Sequence, residues 1–102
     1  MGRSAAFYSL LGLEFTSHRH GNGPEHLSAE IAGAVFELYP AIPDGPSTLG
    51  VRVGFSVSSL DAIVHALNDI PGAIVSAPQA SPWGKRAVLT DPDGHRVELV
   101  ET

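Results

Sequence analysis

Alternating apolar and polar residues predict a β-hairpin at Arg86–Glu101. The segment Asp91-Pro92-Asp93-Gly94 supplies the turn, because proline presets φ and glycine tolerates positive φ. In the returning strand Val97 and Leu99 share one face. Glu98 lies on the other face, where a carboxylate in mid-strand is either solvated or functional.

The same pattern occurs earlier in the chain. Gly33 lies 61 residues before Gly94, and Glu37 lies 61 residues before Glu98. Two copies are too few for a solenoid, so we interpret them as two halves of one domain spanning 1–102. Module one covers 1–40, a proline-rich linker covers 40–49, and module two covers 50–102.

Hydrophobic periodicity predicts an α+β fold. Module one is expected to have a helix capped by Ser4 and running to Leu11, a strand at 13–17, and strands at 27–31 and 35–39. Module two is expected to have a strand at 51–57, a helix from Ser58 or Ser59 to 69, a strand at 73–76, a loop at 78–84 and the final hairpin. The counterpart of strand 51–57 would fall before Met1, so module one is expected to lack its first strand.

The first hairpin has one apolar and one polar face. A two-residue turn at Ala32-Gly33 would pair residues whose numbers sum to 65, so that Ser28 faces Glu37 and His26 faces Tyr39. Such a polar face is either a sheet surface in water or a concave ligand-binding surface. Both interpretations stay open on the pattern alone.

Composition narrows the class of protein. The 102 residues are 43% hydrophobic, enough for one core, and contain no cysteine, which excludes disulfides and thiol chemistry. A net charge of −5 disfavours nucleic acid as a partner and favours a cationic or neutral ligand. Without a long apolar run or a signal peptide, we expect a cytoplasmic protein with no membrane partner.

Few residues could hold a metal or drive catalysis. His26, Glu37 and Glu98 are candidate ligands by residue type, but no H-x-x-x-H spacing or nucleophile motif supports them. The remaining histidines are expected at the surface, and these are His18, His20, His65 and His95.

Several segments together resemble the vicinal oxygen chelate superfamily, which includes glyoxalase I, bleomycin resistance proteins and extradiol dioxygenases. They are Ala6-Phe7-Tyr8, 11–15, 36–40, Pro82-Trp83-Gly84, and 91–95 followed by Val97-Glu98-Leu99. The resemblance implies two βαβββ modules that form a curved mixed sheet around a cavity, which agrees with the internal repeat.

The resemblance also implies where a metal would bind. Metal-dependent members carry a His on the first strand of each module and a Glu on the last. Glu37 and Glu98 match the two Glu positions, Arg52 falls at the second His position, and the first His strand is absent. Because arginine is a poor metal ligand and a good carboxylate partner, we expect Arg52 to pair with Glu37 or Glu98 instead of an ion binding there.

We therefore expect a bleomycin-resistance-like protein that sequesters a small cationic or aromatic molecule, with no cofactor and no catalysis. The residues expected to line the cavity are His26, Glu37, Tyr39, Arg52, Trp83 and Glu98. The alternative is a glyoxalase-like metal-dependent lyase or isomerase, or a dioxygenase-like enzyme, with Ni, Zn, Fe or Mn held by Glu37, Glu98 and His26.

The missing strand leads to one more expectation. It would leave an unpaired strand edge in module one, and such edges pair readily with another chain. We expect a two-fold homodimer, with the N-terminal half at the contact and Glu37 of one chain facing Glu98 of the other.

Overall fold

Two helices and seven strands make up the computed structural model, which describes all residues from Met1 to Thr102. The chain divides into two compact units, unit 1 (Met1–Ser47) and unit 2 (Thr48–Thr102). In chain order the elements are α1 (Gly2–Ser9), β1 (Thr16–His18), β2 (His26–Ile31), β3 (Ala34–Leu38), β4 (Arg52–Val57), α2 (Leu60–Leu67), β5 (Ile74–Ser81), β6 (Gly84–Thr90) and β7 (Arg96–Glu101). The predicted α+β class is confirmed.

In unit 1, β1, β2 and β3 form an antiparallel sheet in that order. The predicted register of the hairpin is confirmed, since Ser28 pairs with Glu37 and Glu30 with Val35. The turn residues Ala32 and Gly33 have φ of 50° and 83°. Positive φ at both central positions matches the twist of the flanking strands, which explains why a two-residue loop closes here.

The apolar face of this hairpin packs on aromatic residues. The Phe36 ring lies 4.9 Å from the ring of Tyr8 and 6.3 Å from that of Phe15. The predicted start of α1 was wrong, because the Ala5 N–H already donates to the Met1 carbonyl at 2.9 Å. Ser4 is therefore a buried residue inside the helix and not its cap.

Unit 2 is one complete βαβββ module. Its strands lie in the order β4-β7-β6-β5, and β4 runs parallel to β7 while the other pairs are antiparallel. Unit 1 contains the corresponding helix and three strands, which matches the predicted repeat with its first strand lacking. Side chains alternate across β7, so Val97 and Leu99 face one side of the sheet and Glu98 the other.

Helix α2 covers the apolar side of this sheet. Its stripe of Leu60, Ile63 and Leu67 is buried, as are Val97 and Leu99, both fully inaccessible. The predicted N-cap is confirmed at Ser59, whose hydroxyl accepts the Ala62 N–H at 3.3 Å. The helix ends at Leu67, two residues before the predicted end, where the chain tightens into a turn.

One predicted loop is a strand. Residues 78–81 continue β5 through two register irregularities, so only Pro82 and Trp83 remain in the turn to β6. Pro78 lacks a backbone N–H, and β5 is an edge strand where one ladder bond can be lost. The proline that suggested a loop is therefore compatible with the strand.

Neither α1 nor α2, at eight residues each, has the length and apolar character needed to cross a bilayer.

Candidate ligand-binding faces

The sheet face of unit 2 that α2 leaves uncovered is centred on Glu98. Its Oε1 accepts from the guanidinium of Arg52, on the neighbouring strand β4, and lies 2.9 Å from Nη2 of Arg86 on β6. Arg52 and Glu98 come together because β4 and β7 run parallel, with Gly54 beside Glu98. Arg52 was expected to pair with Glu37 or Glu98, and its partner is Glu98.

This arrangement does not fit a divalent ion at Glu98. Arginine has five N–H donors and no lone pair to offer a metal. Two guanidinium groups already share the carboxylate oxygen, and together they outweigh its negative charge. An ion at this position would have to displace both arginines and then meet their positive charge.

In unit 1, Glu37 is the centre of a second polar face. Its Oε2 accepts a hydrogen bond from the Ser28 hydroxyl at 2.9 Å and lies 3.2 Å from Nε2 of His26. That His–Glu distance suits an ion pair, but the alignment does not make a hydrogen bond, so Nε2 is buried without one. Hydrogen bonding depends steeply on angle, so the short distance alone does not satisfy Nε2.

His26 stacks on Tyr39. The two rings are 4.3 Å apart and only 7° from parallel, while the rings of His20 and His18 lie 5.2 Å and 6.0 Å from that of His26. His26 is 1% exposed, whereas Tyr39 is 53% exposed. The stack therefore presents the phenol ring at the surface next to the exposed Glu37 carboxylate.

Trp83 lies at the tip of the β5–β6 hairpin, with 75% of its surface exposed. Among the predicted site residues, the structure brings together His26, Glu37 and Tyr39 in unit 1, and Arg52 and Glu98 in unit 2.

Arg86 also contacts Glu98, and the sequence analysis did not predict it. The register of the final hairpin could have identified it, because Arg86 pairs with Val100, and Val100 lies on the same face as Glu98.

The Asp91-Pro92-Asp93-Gly94 turn contains a further polar cluster. Ligand atoms of Asp91, Asp93 and His95 lie within 4.8 Å of one another, close enough to surround a metal ion. Asp91 is buried, however, and its Oδ1 accepts the backbone N–H groups of Asp93 at 3.0 Å and His95 at 2.9 Å. These bonds hold the turn itself.

His95 was expected at the surface, and this was wrong. Its side chain is only 19% exposed, with Nδ1 3.0 Å from Oδ2 of Asp91. Nε2 lies 2.7 Å from the Thr48 hydroxyl. Burial follows because these two partners hold the ring from both nitrogens.

A shallow depression of about 430 Å³ lies on the opposite, helix side of unit 2. Its lining is mostly polar and contains no predicted site residue; it consists of Asp61, Val64, His65, Asn68, Pro78 and Lys85. The Asp61 carboxylate accepts a hydrogen bond from Lys85 Nζ at 2.8 Å and raises the pKa of that amine. The depression is open and lies on the opposite side of the sheet from Glu98.

Comparisons with known proteins agree with this architecture. The family model for the glyoxalase/bleomycin resistance protein/dioxygenase superfamily matches residues 1–99. A hypothetical protein, SA1046 from S. aureus, has 22% identity and a TM-score of 0.74 over 100% of this chain and 88% of its own. No curated protein matches the chain in sequence.

Two further solved structures share the fold. TnmS3, an antibiotic binding protein from Streptomyces sp. CB03234, has 24% identity and a TM-score of 0.73 over 98% of this chain and 84% of its own. TioX from Micromonospora sp. ML1 has 21% identity and a TM-score of 0.63 over 90% of this chain and 80% of its own.

Proposed function

Because the chain belongs to the glyoxalase/bleomycin resistance protein/dioxygenase superfamily, we propose that it binds a small molecule and sequesters it without chemical change. The observation that carries this proposal is the pairing of the Glu98 carboxylate with two arginines, Arg52 and Arg86. The family resemblance implies that metal-dependent relatives have a metal ligand at this position.

The unit 1 face favours a ligand with a flat aromatic part or a cationic group. The exposed Tyr39 ring, backed by His26 at 4.3 Å, offers a rigid platform for stacking. The neighbouring Glu37 carboxylate attracts a positive charge, and cations also bind over aromatic faces. The antibiotic-binding neighbour TnmS3 supports sequestration as a use of this fold.

Thermal shift against a panel of aromatic and cationic compounds, glycopeptide antibiotics included, tests this proposal. A ligand should raise the unfolding midpoint in a dose-dependent way. Tyr39→Ala should weaken binding about tenfold, since stacking and cation–π contacts contribute about 1–2 kcal/mol. Ile42→Ala, which trims another exposed apolar residue of unit 1, is the matched control. A flat response to every compound would contradict sequestration.

A metal-dependent lyase is the second candidate, and one observation favours it. Nε2 of the buried His26 has no hydrogen-bond partner and lies 3.2 Å from the Glu37 carboxylate. Two ligands of one zinc ion stand about this far apart, because each sits roughly 2 Å from the metal. Elemental analysis of protein purified without chelator separates the two candidates.

We also propose a homodimer for the sequestering protein. β3 is an edge of the unit 1 sheet, with β2 on one side only, and open edges invite pairing with another chain. Val35 on that strand is 61% exposed, which adds apolar surface beside the edge. Sedimentation equilibrium should give twice the chain mass of 10.7 kDa.

A further inference from the structure

Cationic side chains are unevenly distributed over this acidic protein. The chain has 6 lysines and arginines against 11 aspartates and glutamates. Three of those six, namely Arg52, Arg86 and Arg96, lie on the face of the unit 2 sheet that α2 does not cover. We call these three residues, together with Glu98, the arginine face.

Strand register places the three arginines there. Arg52 on β4 is the direct neighbour of Arg96 on β7. Arg86 on β6 pairs with Val100, which shares a face with Glu98 and Arg96 because side chains alternate. Lys85, the residue before Arg86, points to the other side, where it binds Asp61.

The arginine face carries more positive charge than its own carboxylate can neutralise. Glu98 is shared by Arg52 and Arg86 through one oxygen, Oε1. Arg96 donates to a neutral partner, the Thr90 hydroxyl, at 2.6 Å. Three arginines against one glutamate leave two positive charges uncompensated.

The other carboxylates of unit 2 lie elsewhere. Glu101 is on the helix side, where it accepts the Leu60 N–H at 2.9 Å. The rest belong to α2, to the segment after it, or to the β6–β7 turn, and they are Asp61, Asp69, Asp91 and Asp93. On β4, β6 and β7 no acidic side chain other than Glu98 shares the face of the three arginines.

The register puts two like charges on neighbouring strands. Like charges directly opposite each other on neighbouring strands repel, and Arg52 stands directly beside Arg96. Conflicts of this kind are expected mainly at functional sites. An anion bound between the arginines would remove the repulsion, because guanidinium groups bind carboxylate and phosphate through paired N–H donors.

We infer that the arginine face binds the oxyanion group, carboxylate or phosphate, of a small-molecule ligand. This inference rests on the proposed sequestering function and changes the expected ligand class, because a cationic group alone would be repelled here. Arg52 and Arg86 keep free donors, since two guanidinium groups share a single oxygen of Glu98 and each has five N–H groups. Their side chains are 58% and 30% exposed, so a ligand can reach them.

Four matched aromatic probes test the inference at constant ionic strength: phenyl phosphate, benzoate, benzylamine and benzyl alcohol. Binding is followed by NMR titration of the backbone amides and arginine side chains of the full chain. Phenyl phosphate or benzoate should bind more tightly than benzyl alcohol, and benzylamine should not perturb the arginine face. Comparing the first two probes tells phosphate from carboxylate as the preferred group.

Four variants test which side chains hold the anion. Arg96→Gln should weaken anion binding about tenfold, the loss of about one charge-assisted hydrogen bond, and Arg86→Gln is a second such variant should the first not fold. Lys85→Gln makes the same charge change on the opposite side of the sheet and should alter affinity less than twofold. Glu98→Gln should strengthen anion binding, because it removes the competing carboxylate.

Equal losses of anion affinity in Lys85→Gln and Arg96→Gln would mean that the anion is attracted by charge without a specific site, and would overturn the inference. Preferential binding of benzylamine that is lost in Glu98→Gln would overturn it as well. If none of the anions binds while other compounds raise the unfolding midpoint, the inference fails and the proposed function stands. If no compound of either set binds, the proposed function fails with it.

Discussion

Replacing Asp91 tests whether the acidic turn is a structural device or a metal site. The Asp91 side chain is 3% exposed, and one of its oxygens accepts backbone N–H groups from Asp93 and His95. In Asp91→Ala both donors lose this acceptor. Water can replace it at the exposed Asp93 but less readily at the half-buried His95.

The expected loss follows from these bonds. Hydrogen bonds to a charged acceptor contribute about 1.5–3 kcal/mol each. With water compensating one of them, we expect Asp91→Ala to lower the free energy of unfolding by about 1.5–3 kcal/mol. Such a loss lowers the unfolding midpoint by about 10 °C in a domain of this size. Asp91→Asn keeps an oxygen acceptor and should lose about half as much.

Urea unfolding of Asp91→Ala and Asp91→Asn, with and without added Zn²⁺ or Ca²⁺, measures these losses of unfolding free energy. Asp93→Asn is the matched control, because it removes a charge from the same cluster without removing the acceptor in the turn. A loss below about 0.5 kcal/mol in Asp91→Ala, the size of an ordinary surface change, would refute the hydrogen-bond argument. Stabilisation by metal in the parent protein and not in Asp91→Asn would indicate a metal site instead.

Four further predictions concern the metal, the oligomer, the core and the surface. Elemental analysis should find no stoichiometric metal that depends on Glu98, and a metal lost in Glu98→Ala would contradict this. Val35→Lys should shift sedimentation equilibrium towards one chain mass, because charge on an edge strand opposes pairing; a single-chain mass in the parent would contradict the dimer. Leu99→Ala should cost about 2–5 kcal/mol in urea unfolding, the range for a fully buried leucine. The Asp61 contact raises the pKa of Lys85 above 10.5, so the difference in unfolding free energy between the parent and Lys85→Met should persist below pH 10.5 and vanish as the pH rises through the raised pKa. A difference that does not change with pH would contradict this.

Local patterns predicted most of the fold. The register of β2 and β3 followed from Ala32-Gly33, because a two-residue turn allows one pairing only. The βαβββ order of unit 2 followed from the hydrophobic periodicity of that half, and the family resemblance agreed with it. These features depend on short-range rules of turns and alternation, which a sequence displays directly.

Features set by tertiary contact were not predicted. Pro78 and the residues after it were assigned to a loop, since proline is a local breaker and the neighbouring strand that accommodates it cannot be read locally. His95 was assigned to the surface because it follows a turn. Its burial depends on Thr48, which lies 47 residues away in the chain.

The charge balance at Glu98 is also set by tertiary contacts and not by local sequence. On this face each strand taken alone carries at most one arginine: Arg52 on β4, Arg86 on β6, and Arg96 on β7, where Glu98 shares the face. Only the strand order β4-β7-β6 puts all of them on one surface. A glutamate that suggested a cation or a metal when considered alone is outnumbered there by three arginines. The character of a ligand-binding sheet face is therefore a property of the strand order, and the net charge of −5 for the whole chain is a poor guide to it.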